Sequence, residues 1–207
     1  MSHQEIVQDT VGSKFAKGLV RTLRHRQELS LLRDHLLRLD PTSRHDRFHG
    51  FTDDSFIERY AEKCADDGTI IIAYLQDGLV RGAAELHPPD QSPDGLPEIA
   101  FSVETCVRRL GVGSLLFRRL LAEARLKGHR SLRITTGAQN HAMRALARKF
   151  GAHLTFCHGE STGTIDLKPR PQFEFAKLAV AVPRAMFQYN RAYWKLVMEN
   201  YGWRHAA

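Results

Sequence analysis

Between Val103 and Leu115 the sequence reads Glu-Thr-Cys-Val-Arg-Arg-Leu-Gly-Val-Gly-Ser, and this stretch constrains the fold more than any other. Before it lies Glu98 to Val103, an alternating run of the strand type. After it lies Leu115 to Leu126, which puts Leu116, Phe117, Leu120, Leu121 and Ala124 on one helical face. A strand that passes through Gly111-Val112-Gly113 into a helix leaves unpaired first-turn amides, and the positive end of a helix dipole, where small residues let a ligand approach. A pyrophosphate fits such a turn. The pattern is not a dinucleotide fingerprint, because the third glycine of GxGxxG would fall at Leu116, and no Walker lysine follows. Taken alone, the stretch reads equally well as an ordinary strand-to-helix turn.

The flanking sequence supplies the other layers. Leu29, Leu32, Leu36 and Leu39 predict a helix that stops at Asp40-Pro41, and a second runs from near Thr52 through Phe56, Ile57, Tyr60, Ala61 and Cys64 to Asp67-Gly68. Thr69 to Leu75 and Leu79 to Leu86 flank Asp77-Gly78 as an antiparallel hairpin, and Pro88 to Pro97 is a loop. Ser131 to Thr135 predicts a strand. Asn140 to Phe150 predicts a helix with Met143, Leu146, Ala147 and Phe150 inward and Gly151 past its end. Leu154 to Cys157 and Thr164 to Leu167 make a last hairpin. The order β, α, α, β, β, β, α, β, α, β, β predicts an α/β (α+β) fold, a mixed sheet with helices on both faces. Pro169-Arg170-Pro171 marks a boundary. The expected plan is therefore an N-terminal segment at 1–17, a domain at 18–168 and a basic aromatic helical tail at 169–207.

Composition narrows the partners. With 207 residues, 43% apolar and 26% charged, the chain suits one soluble domain with an appendage. No run approaches the ~18 apolar residues of a membrane span, and Met1 to Gly18 is polar, so neither a transmembrane helix nor a secretory signal is expected, and the expected location is cytoplasmic. Cys64, Cys106 and Cys157 are odd in number and far apart, which reads as reduced thiols. Thirty basic residues against 23 acidic ones give +7, which suits nucleic acid, acidic proteins or a phosphate-rich cofactor.

Arg108 to Gly113 matches the Q/R-x-x-G-x-G/A loop of the Gcn5-related N-acetyltransferases, the GNAT family. The chain resembles that family from about Gly18 to Lys168, with Glu98-Ile99-Ala100-Phe101-Ser102-Val103 before the loop, Asn140 opening the next helix and Lys149-Phe150-Gly151 closing it. The resemblance implies acetyl-CoA as co-substrate and no metal. It places the pyrophosphate on the loop Arg108, Arg109, Leu110, Gly111, Val112, Gly113 and Ser114, and the pantetheine arm beside Phe101, Ser102 and Val103. Asn140 is a cofactor-side residue in the family, and an N-cap role explains it equally. Ser43-Arg44-His45-Asp46-Arg47-Phe48 resembles the Ser-Arg-x-x-Arg-Phe stretch of bacterial protein lysine acetyltransferases, which implies a protein lysine as acceptor.

Acetyl transfer to an amine needs a base, since an ammonium of pKa near 10.4 is only about one part in a thousand neutral at pH 7. Related enzymes often carry it where Glu98 stands, although a solvated strand-end acid reads there too. Glu85 and Glu104 are the runners-up, each read as a surface charge. A backbone amide near Val103 would hold the oxyanion. Many relatives place a tyrosine acid at the position of Ala147, so the source of the leaving thiolate's proton is left open between solvent and a loss of efficient catalysis.

The remaining candidates have plain readings. His45 and His49 lack a third ligand and predict no metal site. Cys106 reads as a filler beside the loop, and Arg118, Arg119, Arg125, Lys127, Arg130 and Arg133 as a solvated face. From Lys168 onward seven basic residues meet two acidic ones, interleaved with Phe187, Tyr189, Tyr193, Trp194, Tyr201 and Trp203. That tail suits nucleic acid, a membrane surface or packing, and packing on the domain or in a homodimer is the favoured reading. The rival to an acetyltransferase is an acyl-CoA-binding regulatory or nucleic-acid-associated module with little turnover. A polyamine or aminoglycoside acetyltransferase comes third, because a +7 surface repels polycations.

Overall fold

The computed structural model describes residues 18–89, 94–157 and 159–167. The expectations for the tail and for residues 1–17 lie outside them. Within them the chain forms β1 (Leu19–Leu23), α1 (Leu29–Leu37), α2 (Pro41–Phe48), α3 (Asp54–Asp66), β2 (Ile70–Gln76), β3 (Leu79–His87) and β4 (Glu98–Val103). It continues with α4 (Val112–Leu126), β5 (Ser131–Gly137), α5 (His141–Lys149), β6 (His153–Cys157) and β7 (Glu160–Asp166). The seven strands make one sheet in the order β1-β2-β3-β4-β5-β7-β6. No helix among the described residues is long and apolar enough to cross a membrane.

Local chemistry explains most boundaries. Asp77 and Gly78 have φ of 52° and 76°, the primed geometry that two-residue hairpins need, and they set Gln76 opposite Leu79. Asp53 caps α3 by accepting from the Phe56 amide at 2.7 Å. Gly151, at φ 86°, ends the turn after α5. Two elements depart from the sequence reading. The helix α2 was not expected, because Pro41 reads as a stop. Pro41 instead occupies the first turn of a new helix, and Asp40 caps it through Ser43 N at 2.9 Å. The last hairpin is also more compact than the sequence predicts, with β7 starting at Glu160 and Cys157 paired to it.

Alternation along the strands builds two cores. Ile72, Tyr74, Ala84, Leu86 and Ile99 face Leu116, Phe117 and Leu120 of α4 on one side. Ile71, Ala73, Val80 and Ala83 face Leu32 and Leu36 of α1 and Ile57 of α3 on the other. Every strand pairing is antiparallel except β4 with β5, which are parallel and pair only at Glu98 with Arg133 and Ile99 with Ile134. Past Ile99 the two strands part, and this split in the middle of the sheet positions the site.

Candidate functional site

Strand β4 stays bonded to β3 to its end, where the Glu104 amide donates to the Arg81 carbonyl at 2.9 Å. In an antiparallel ladder alternate residues point their N–H to opposite edges, so the Val103 amide points away from β3, into the split. The Val103 carbonyl confirms the direction, since it accepts from Arg108 Nε at 2.9 Å. Arg108 also reaches Ser43 Oγ of α2, which ties the loop to both the strand and the helix above it.

The loop then turns through Arg109 at φ 62° and Gly111 at φ 83°, and α4 begins at Val112, earlier than the Leu115 start read from the sequence. Its first intrahelical bond is from Leu115 N to Gly111 O at 3.0 Å, and no side chain caps it. The amides of Val112, Gly113 and Ser114 are thus left for a ligand. A Cβ at Gly113 would come within 3.2 Å of Leu146 Cδ2 of α5, so glycine keeps the gap between α4 and α5 open. Lys149 Nζ donates to Ser114 Oγ at 3.0 Å and adds a cation beside those amides.

These groups surround a cavity of about 430 Å³. Its wall includes Phe101, Ser102, Val103, Arg108, Arg109, Gly111, Val112, Gly113, Ser114 and Asn140, all expected from the sequence. Leu110 is not in the wall; it packs on the core beneath. Asn140 caps α5, its Oδ1 accepting from Met143 N at 3.0 Å. Glu98 is outside the wall as well, at the closed end of the split. Its side chain is 34% exposed, with Arg133 Nε 3.9 Å away. Sequence reasoning missed the far wall, where Ala142, Met143, Ala145, Leu146 and Lys149 come from α5 and Ser43, Asp46 and Arg47 from α2.

The readings of Glu85 and Glu104 as surface charges are overturned. Glu85 is 0% exposed, because it lies on a central strand beneath Arg47 of α2 and Tyr60 of α3. Its Oε2 accepts from Arg47 at 2.8 Å and from the Tyr60 hydroxyl. Burial pushes the Glu85 carboxyl up, but the Arg47 and then the His87 charges outweigh it and hold the group below its ordinary range. Burial pushes the Tyr60 hydroxyl well up, so it stays a donor. Glu104 is 7% exposed, and Arg81 at 2.7 Å, Arg38 at 3.0 Å and His35 at 3.1 Å surround it. Against the upward effect of burial, the hydrogen bonds from His35 and Arg81 and the nearby Arg38 charge bring it to about 2.

The other candidates sit apart from the cavity. His49 Nδ1 lies 3.1 Å from Glu160, and no group of three potential metal ligands occurs among the described residues. Cys106 is exposed, with Sγ 3.9 Å from Glu104 Oε2, and Cys64 is a buried free thiol that burial pushes up to about 12.

The model of the acetyltransferase (GNAT) family matches residues 34–152. Among solved structures the chain is similar to the GNAT domain of PAT from S. lividans, at 19% identity over 72% of this chain and 90% of that one, with a TM-score of 0.60. It is similar to an N-acetyltransferase from Staphylococcus aureus Mu50, at 20% identity, 74% and 100% coverage and a TM-score of 0.55. A phosphinothricin acetyltransferase from Sinorhizobium meliloti, solved in complex with acetyl-CoA, shares 17% identity over 73% and 89% of the two chains, with a TM-score of 0.53.

Proposed function

The chain belongs to the acetyltransferase (GNAT) family, and from that premise we propose that it moves the acetyl group of acetyl-CoA to a primary amine, with a protein lysine as acceptor. In this reading residues 18–168 are the catalytic domain, 169–207 an appended tail, and the free thiols suit the reducing cytoplasm. One observation carries it: three uncapped α4 amides, a glycine-held gap and Lys149 converge on a cavity whose opposite wall is the open edge of β4. That donor set fits a pyrophosphate at one end and a carbonyl oxygen at the other.

Acetyl-CoA supplies an acyl thioester, whose thiolate is a good leaving group. The amides of Arg109 to Ser114 bind the phosphates, and Phe101 to Val103 line the pantetheine path. The Val103 amide takes up the negative charge that grows on the carbonyl oxygen. Glu98, on the strand that carries that amide, accepts the proton of the incoming ammonium through water. Ala147 is fully buried and has no acidic proton to give, and a thiolate whose conjugate acid has a pKa of about 8.5 leaves without an acid from that position. The rival reading as a nucleic-acid module is not favoured by the comparisons.

The Glu98→Gln variant tests the base. Its turnover at neutral pH should fall about 100-fold while acetyl-CoA affinity stays within a few-fold, the signature of a lost proton acceptor. Thiol release from acetyl-CoA, run with lysine peptides, free polyamines and aminoglycosides, ranks the acceptors. Lysine peptides are expected to lead. Equal turnover by Glu98→Gln would move the base, and a polyamine preference would replace the acceptor.

A further inference from the structure

His35 of α1 is fully buried, with one partner on each ring nitrogen. Nε2 is 2.9 Å from Ser102 Oγ, and Nδ1 is 3.1 Å from Glu104 Oε1. A carboxylate only accepts, so Nδ1–H donates to Glu104, and in the neutral imidazole Nε2 is then bare and accepts the Ser102 hydroxyl proton. Arg38 and Arg81 keep Glu104 an anion in its place. Ser102 itself is 6% exposed and belongs to the cavity wall, one residue before the amide that points into the split. A serine hydroxyl aimed at a histidine that a buried carboxylate orients, next to a free backbone N–H, is the arrangement that activates a serine for acyl transfer.

We propose that Ser102 is a nucleophile toward acyl thioesters and activated esters in this cavity, with His35 as its base and Glu104 orienting the imidazole. The proposal rests on the acetyl-CoA reading only for the identity of the natural donor. Ser102 Oγ bonds to the acyl carbon while its proton passes to His35 Nε2. The bond from that carbon to sulfur breaks, and the sulfur leaves with the His35 proton as free thiol. Ser102 then carries an O-acetyl ester. Water, losing a proton to His35 Nε2, adds to the ester carbon, Ser102 Oγ regains that proton, and acetate leaves. In the absence of amine the site is therefore a slow thioester and ester hydrolase.

The test uses the full chain with p-nitrophenyl acetate in the absence of CoA, and separately with acetyl-CoA in the absence of amine. Rapidly quenched samples are digested and their peptides weighed. The peptide holding Ser102 should gain one acetyl group that alkaline hydroxylamine removes. Nitrophenol release should fall about 1000-fold in both Ser102→Ala and His35→Gln. Thermal melts show which variants fold. Ser102→Ala removes a single oxygen, so it carries the comparison if His35→Gln does not fold. An unlabelled Ser102 with both donors, or unchanged nitrophenol release by folded Ser102→Ala, overturns the proposal. Ester labelling of Ser102 in a protein that fails to bind acetyl-CoA upholds the nucleophile and removes the acetyl-CoA reading. Calorimetric binding of acetyl-CoA with Ser102 unlabelled by either donor does the opposite.

Discussion

Gly113→Leu should weaken acetyl-CoA binding by at least about 100-fold, roughly 2.7 kcal/mol, with little loss of fold. The Cβ alone would stand 3.2 Å from Leu146 Cδ2, so the added carbons must turn toward the cavity and cover the amides of Val112 to Ser114. Gly111 works differently. A Cβ there meets nothing within 4 Å, yet its φ of 83° lies in the left-handed region, so Gly111→Ala should cost about 1 to 2 kcal/mol of stability and change affinity less. Calorimetric titration with acetyl-CoA and a urea melt on both variants separate the two effects. Unaltered affinity in Gly113→Leu would remove the phosphates from this turn.

The second large effect lies in the α2 wall of the cavity. Arg47 and Glu85 form an ion pair at 2.8 Å, both nearly inaccessible, with Tyr60 donating to the same carboxylate and the guanidinium 4.8 Å from the centre of the Phe48 ring. Removing one partner strands a buried charge, so Arg47→Leu or Glu85→Leu should each lose about 3 to 5 kcal/mol. The double Leu variant strands neither charge and should recover most of that loss. A urea-melt double-mutant cycle measures the difference. Single variants within 1 kcal/mol of the parent would mean that the pair is not desolvated as the structure has it.

This pair also shows where sequence reading stops. The periodicities of β2, β3, β4 and α4 are local, and so is the chemistry of Gly111 and Gly113, which is why the wall of the cavity built from β4 and the turn into α4 was legible almost residue by residue. Pro41 was misread because the rule that proline ends a helix and the rule that it begins one apply to the same dipeptide, and only the Asp40 cap, reaching forward to Ser43, decides between them. Glu85 and Glu104 were misread because burial is a property of sheet position. Their partners Arg47 and His35 are 38 and 69 residues away in sequence, and no spacing pattern links them. Within Ser43 to Phe48 the two arginines have structural partners. Arg44 donates to the carbonyls of Leu37 and Leu39, and Arg47 anchors α2 to β3. Glu98 is the residue for which local pattern and geometry meet least, since it lies on the right strand but outside the cavity wall.

The central claim is that this cavity delivers an acetyl group to an amine, and one measurement addresses it directly. The full chain is incubated with a lysine peptide and acetyl-CoA bearing a heavy-isotope acetyl group, and the peptide and the free thiol are quantified together by mass spectrometry. The account predicts heavy acetyl on the lysine Nε in step with thiol release, saturating with acetyl-CoA and absent in Gly113→Leu. A peptide and a panel of other primary amines that all stay unlabelled, while the protein binds acetyl-CoA, would contradict it.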